Sequence, residues 1–158
     1  MSAGRSRVIF AHSLAKVPAR MTTRTTEITA HRPIIAVVDD DPAVCSSLKF
    51  SLELEGFEVR TFYNGAEFTG AKNLESCACF VIDQGLPDTN GMQLFEGLRA
   101  RHIAAPAILI VGHPHARLSQ QATAARVPIL EKPLFGNTLS AKIKEVCNIC
   151  NGSSDGRP

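Results

Sequence analysis

The stretch Ile34-Ile-Ala-Val-Val-Asp-Asp-Asp-Pro42 decides the fold. Its five apolar residues form the short unbroken run of a strand buried on both faces, as strands of parallel sheets are. Three carboxylates follow at its carboxyl end. Asp41 then offers a cap oxygen, and Pro42 suits a first helical position, where its missing N–H costs nothing. The predicted helix carries the rows Val44/Leu48/Leu52 and Ala43/Ser47/Phe50/Leu54 at helical spacing and stops at Gly56.

The same alternation continues outward along the chain. Phe57 to Phe62 reads as a strand, and Asn64 caps a short helix through about Lys72. Cys79-Phe-Val-Ile82 is a third strand, closed by Asp83. The loop Gln84 to Gly91 leads into a helix from Met92 to about Arg101. Ala107 to Val111 is a fourth strand, His115 to Ala125 a polar helix, Pro128 to Glu131 a fifth strand, and Asn137 to Ile149 a last helix. Five strands alternating with five helices predict an α/β, doubly wound, five-stranded parallel sheet with helices on both faces. The expected strand order is 2-1-3-4-5, the flavodoxin-like one.

Ligands of such sheets sit outside the carboxyl ends of the strands. In the order 2-1-3-4-5, Asp39 and Asp40 after strand one meet Asp83 after strand three. Carboxylates this close repel, and a divalent cation removes the conflict; all-oxygen ligation by few protein groups favours Mg²⁺. Lys132, after strand five, points its ammonium at the same crevice. A metal site, a carboxylate and a lysine together suit phosphoryl chemistry: the cations neutralise phosphoryl oxygens and the carboxylate attacks phosphorus.

The wider composition agrees with one compact module. The chain has 158 residues, 44% of them apolar and 20% charged, enough to bury a core and unlike a disordered polymer. No apolar run reaches the ~18–20 residues of a membrane span. Residues 1–32 hold six Lys/Arg against Glu27, a net +5, and are expected to form a flexible basic leader. Residues 33–150 hold ten Lys/Arg against thirteen Asp/Glu, a net −3, so the body does not advertise nucleic acid as a partner. Residues 151–158 are expected to be a flexible tail. The five cysteines, an odd number, read as reduced thiols of a cytoplasmic protein. Cys77-Ala-Cys79 reads as strand packing. Cys147-Asn-Ile-Cys150 closes a helix without a second pair to complete a zinc site, and His113 and His115 read as loop residues.

Residues 33–150 resemble the receiver domain of two-component response regulators. The resemblance rests on Ile35-Ala-Val-Val-Asp-Asp-Asp-Pro, Phe80-Val-Ile-Asp-Gln-Gly-Leu-Pro-Asp-Thr-Asn-Gly-Met, Val111-Gly-His and Leu130-Glu-Lys-Pro, in that order. It is similar in particular to receivers of nitrogen-fixation-type regulators, which carry Gly-His after strand four and Ile-Glu-Lys-Pro after strand five. The resemblance implies that Asp83 accepts phosphate from a sensor histidine kinase or phosphotransfer protein. It implies that Asp39 and Asp40, with Asp83 and the backbone carbonyl of Gly85, hold Mg²⁺. It implies that Lys132 ion-pairs with the phosphoryl group, and that the Lys132–Pro133 bond is cis. Asp88 and Gly91 match the turn after strand three, whereas Asp41 reads as a cap alone.

Two positions depart from the family pattern. Val111 stands where the family has Thr or Ser, and Ile129 where it has Tyr or Phe; in the family these residues move together to report phosphorylation. The helix before strand five also ends without its usual glycine. Only eight residues follow residue 150, so a signalling module that is not an enzyme and has no helix-turn-helix output is expected, with signals leaving through helix 115–125, strand 128–131 and the last helix toward an unknown protein target. The alternative is a receiver-like docking module with weak or no phosphorylation-driven switching, favoured by Val111 and Ile129. A phosphohydrolase using an aspartyl-phosphate fits Asp39-x-Asp41 only superficially, because the chain has no room for a cap domain.

Overall fold

The computed structural model describes residues 31–151, with side chains through residue 148. The predicted leader and tail, and the side chain of Cys150, lie outside the described residues. The elements are β1 (Ile34–Val38), α1 (Pro42–Leu54), β2 (Glu58–Phe62), α2 (Gly65–Gly70), a 3-10 turn (Leu74–Ser76), β3 (Cys77–Asp83), α3 (Gly91–Ala100), β4 (Ala107–Val111), α4 (Ala116–Ala125), β5 (Ile129–Glu131) and α5 (Thr138–Asn151). All strand pairs are parallel, in the order β2-β1-β3-β4-β5. The predicted sheet is therefore the observed one.

Each face of the sheet carries its own core. Ile35, Val37, Cys79, Val81, Ile108 and Ile110 point to one side, where Cys45 and Leu52 of α1 and Leu139, Ile143 and Val146 of α5 cover them. Ala36, Val38, Phe80, Ile82 and Leu109 point to the other, under Phe68 of α2, Leu94, Phe95 and Leu98 of α3, and Leu118 and Ala122 of α4. This is the period of two expected of strands sandwiched between helices. Phe68 stands edge-on to both Phe62 and Phe80, with centroids 5.3 and 5.8 Å apart, and ties α2 to the sheet.

Local chemistry sets the helix ends. Asp41 accepts from the Ala43 N–H at 2.8 Å with Pro42 next to it, as the sequence predicts. Asn64 and Asn90 cap α2 and α3 in the same way, accepting from Glu67 and Gln93. His115 caps α4 through Nδ1, which accepts from the Leu118 N–H at 3.2 Å, so it has a structural task beyond a loop position. The missing glycine after α4 is replaced by Arg126, which itself adopts the left-handed conformation at φ 57°.

Three expectations need correction. The row Ala43/Ser47/Phe50/Leu54 does not face the core: all four are exposed, Phe50 and Leu54 heavily so. Cys45 takes the inward place between the rows. α2 ends at Gly70, short of Lys72, because Ala71 is already extended and its N–H bonds the Phe68 carbonyl. β3 begins at Cys77, two residues earlier than expected, across a register shift opposite Ile34/Ile35.

Gly91 marks a close approach of the backbone beneath the acidic cluster. A Cβ there would lie 2.9 Å from the Asp83 carbonyl oxygen and 2.9 Å from a Leu109 methyl, closer than real contacts allow. Gly91→Ala is expected to destabilise the domain by about 1–3 kcal/mol through this overpacking. Urea unfolding of both proteins checks it, and an unchanged midpoint would contradict the packing described.

Candidate functional site

The register of the sheet builds the site. β1 and β3 pair Val38 with Ile82, so the next residues, Asp39 and Asp83, leave the sheet edge side by side. Val111 pairs with Glu131 at the end of β4 and β5, and the Lys132 N–H donates to the Val111 carbonyl at 2.8 Å. Lys132 thus starts two strands from β3, roughly 10 Å across the sheet at the usual strand spacing. Its long flexible side chain closes the gap. Nζ lies 2.9 Å from Asp39 Oδ2 and 3.0 Å from Asp83 Oδ1. The Lys132–Pro133 bond is cis.

Asp39 and Asp83 are buried, and Asp40 is exposed. Oxygens from all three carboxylates lie within 4.8 Å of one another. Asp39 is held from several directions. Its Oδ1 accepts from the Asp41 N–H at 2.9 Å, its N–H donates to the Phe62 carbonyl at 3.1 Å, and its own carbonyl accepts from the Cys45 thiol at 3.2 Å. Asp41 is therefore more than a cap, since its backbone also steadies the acid pair. Neither this bond nor the Cys45 contact was legible in the residues alone, because both depend on how tightly the chain turns from β1 into α1.

The loop after β3 is braced in turn. The Gln84 N–H donates to the Ile110 carbonyl, and Gln84 Oε1 accepts from the Met92 N–H at 3.1 Å. Gly85 pairs with Asn90, and a Cβ on Gly85 would stand 3.7 Å from Asp83 Oδ2. Asp88 reaches across to α2, accepting from the Gly65 and Ala66 N–H groups at 2.9 and 2.8 Å, and these bonds hold its carboxyl below the usual carboxylate range. Its place in the turn was expected; its grip on another helix was not.

The electrostatics of the cluster are unbalanced. Burial pushes the Asp83 carboxyl up; the hydrogen bond and charge of Lys132 pull it down, Asp39 and Asp40 push it up again, and the outcome is a raised pKa. Burial works to lower Lys132, but its hydrogen bonds to Asp39 and Asp83 prevail and hold the ammonium above its ordinary range. Three carboxylates face one ammonium, so two negative charges stay uncompensated when all are ionised. The donor set is all oxygen, which suits a hard divalent cation carrying that charge. Val111, buried at the end of β4, adds no polar group to the site, and Ile129 packs against the same core cluster. Exposed His113 lines a groove of about 630 Å³ beside Lys132, with Val44, Leu48 and Leu134.

The family model described as a response regulator receiver domain matches residues 35–144, and the chain belongs to that family. Transcriptional regulatory protein FixJ of Bradyrhizobium diazoefficiens is 33% identical over 111 residues, covering 70% of this chain and 54% of that protein. The C4-dicarboxylate transport transcriptional regulatory protein DctR of Rhodobacter capsulatus is 30% identical over 106 residues, covering 65% of this chain and 54% of that protein. The chain spans about half the length of these curated relatives. Among solved structures, a CheY-like receiver domain protein from Methanospirillum hungatei superposes with a TM-score of 0.71 at 27% identity, covering 78% of this chain and 99% of that one. No helix among the described residues is long and apolar enough to cross a membrane.

The raised Asp83 pKa has a consequence for stability. The unfolded carboxyl ionises first as pH rises, so the stability linked to the protonated form is fully present below about pH 3.9 and is lost as pH climbs through the folded value. Asp83→Asn cannot ionise. In metal-free buffer its stability relative to wild type is expected to be greater at pH 7 than at pH 4. Denaturant unfolding at both pH values checks this, and a difference that is flat or reversed with pH would contradict the charge imbalance.

Proposed function

We propose that this receiver domain accepts a phosphoryl group on Asp83 in a Mg²⁺-dependent phosphorelay and passes the signal on by protein–protein contact. The donor is a sensor histidine kinase or a phosphotransfer protein, and the setting is the cytoplasm. The observation that carries this reading is the single ammonium of Lys132 bridging Asp39 and Asp83 beside an uncompensated third carboxylate. Family membership supports it: receiver domains are signalling modules that bind Mg²⁺ at an acidic pocket and interact with such donors.

The chemistry follows from the residues present. A carboxylate oxygen of Asp83 attacks phosphorus of a phosphohistidine; an O–P bond forms, the P–N bond breaks, and the imidazole leaves. Lys132 moves its ion pair from the carboxylates to the phosphoryl oxygens. Asp39, Asp40 and Asp83, with the Gly85 carbonyl, are the groups that would hold Mg²⁺. The ion, when bound, neutralises charge on the phosphoryl group. Asp41 and Cys45 keep the Asp39 carboxylate and backbone in place while this happens.

Val111 and Ile129 favour a weakened response. A hydroxyl at the end of β4 would donate a hydrogen bond to a charged phosphoryl oxygen, worth ~1.5–3 kcal/mol. Moving a two-state switch from 1:99 to 99:1 takes about 5.5 kcal/mol, so roughly a quarter to a half of the drive is absent. The second reading, a receiver that docks partners with little phosphorylation-driven change, rests on those same two side chains.

Incubation with acetyl phosphate and Mg²⁺ followed by intact mass measurement tests the proposal. Wild type is expected to gain ~80 Da, the mass of one phosphoryl group, and Asp83→Asn to gain nothing. Adducts of equal yield in the two proteins would overturn the assignment. Val111→Thr is expected to enlarge the phosphorylation-dependent change in backbone amide shifts around β4 and α4. An unchanged response in that variant would show that the absent hydroxyl is not what limits switching.

A further inference from the structure

Two cysteines meet lower on β3, away from the acidic cluster. Cys79 is fully buried on the face of the sheet covered by α1 and α5. Cys147 of α5 is half-buried and packs against that same core, with its thiol hydrogen-bonded to Cys79 and 3.7 Å from the Ala78 carbonyl. Cys147 also lines an open cavity of about 490 Å³, whose walls include Pro33, Phe57, Ala105 and Lys144. One cysteine of the pair is thus partly exposed and the other buried in the same layer.

Cys77 lines the same cavity as Cys147, but the two strand cysteines pack in different layers. Residues two apart on a strand ordinarily share a face. The register shift opposite Ile34/Ile35 breaks that rule, so Cys77 packs in the cluster beneath α2 and α3, and Cys79 in the one beneath α5. Cys45, on α1, donates to the Asp39 carbonyl.

We propose that Cys147 and Cys79 form a peroxide-sensing dithiol that closes into a disulfide tying α5 to β3. The Cys147 thiolate attacks one oxygen of a hydroperoxide; an S–O bond forms, the O–O bond breaks, and the leaving alkoxide or hydroxide takes up a proton, leaving a sulfenic acid. The Cys79 sulfur then attacks the sulfenic sulfur; an S–S bond forms, the S–O bond breaks, and hydroxide departs with the Cys79 proton as water. The two thiols lose two electrons and two protons, and the peroxide takes up both.

The local chemistry favours this order of events. The Cys79 hydrogen bond outweighs burial and lowers the Cys147 thiol to about 7, whereas burial pushes Cys45 up to about 11 and also raises Cys77. The thiolate is the nucleophile, so Cys147 is the sulfur that reacts. Lys144, a cation held by Glu55, is the charged side chain lining the same cavity among the described residues.

The experiment uses the full reduced chain, a few equivalents of hydrogen peroxide and a quench with a thiol-alkylating reagent. Wild type is expected to lose about 2 Da and to yield a disulfide joining tryptic fragments 73–99 and 145–158 through Cys79 and Cys147. Cys150→Ser is expected to retain that link, and Cys147→Ser to lose it. In Cys79→Ala the oxidation should stop at a sulfenic acid on Cys147, about 16 Da heavier and captured by dimedone. A Cys147–Cys150 disulfide within fragment 145–158, a link between two chains, or oxidation that spares Cys147 would each overturn the proposal. Should Cys79→Ala fail to fold, the wild-type map and Cys147→Ser still decide.

Discussion

One ammonium held between two buried carboxylates organises this domain. Lys132 Nζ sits at 2.9 Å from Asp39 and 3.0 Å from Asp83, joining three strands that are far apart in sequence. Isolated, either carboxylate would be costly to bury, and the lysine alone does not balance the cluster once Asp40 is added. Burial leaves Asp83 reluctant to ionise, which is a cost to the fold. The surrounding structure carries that cost through backbone constraints: the Asp41 amide on Asp39, the Gln84 amide on β4, and the close contact of Gly91 with the Asp83 carbonyl.

The core beneath the site is ordinary by comparison. Two apolar layers, one under α1 and α5 and one under α2, α3 and α4, hold the strand ends level. Asp88 adds a lateral tie by gripping the start of α2 from the loop after β3. At the far edge of the site Val111 and Ile129 are both apolar and both pack in the layer under α4, so the ends of β4 and β5 are continuous with the core.

Much of this was legible in the residues. Short apolar runs at Ile34–Val38, Cys79–Ile82 and Ala107–Val111, alternating with helices, announced a parallel sheet, and Asp39, Asp83 and Lys132 after three of its strands put the chemistry at one edge; the order 2-1-3-4-5 came from the flavodoxin-like arrangement. What was missed depends on geometry that periodicity does not encode. Two rows of α1 had helical spacing, yet Leu48 and Leu52 of the first pack inward together with Cys45, whereas Phe50 and Leu54 of the second face outward. The two cysteines of Cys77-Ala-Cys79 looked equivalent until a register shift turned them to opposite faces. Arg126 took over a left-handed turn that sequence rules assign to glycine. Asp88 gave no sign of its partner, because Gly65 lies 23 residues away in the chain.

The most direct measurement is a crystal structure of the protein grown with beryllofluoride and Mg²⁺. The account predicts the beryllofluoride group on a carboxylate oxygen of Asp83, Lys132 Nζ drawn onto its fluorines, and the metal ligated by Asp39, Asp40, Asp83 and the Gly85 carbonyl. Asp83 left unmodified in those crystals, with Lys132 turned out to solvent, would contradict it.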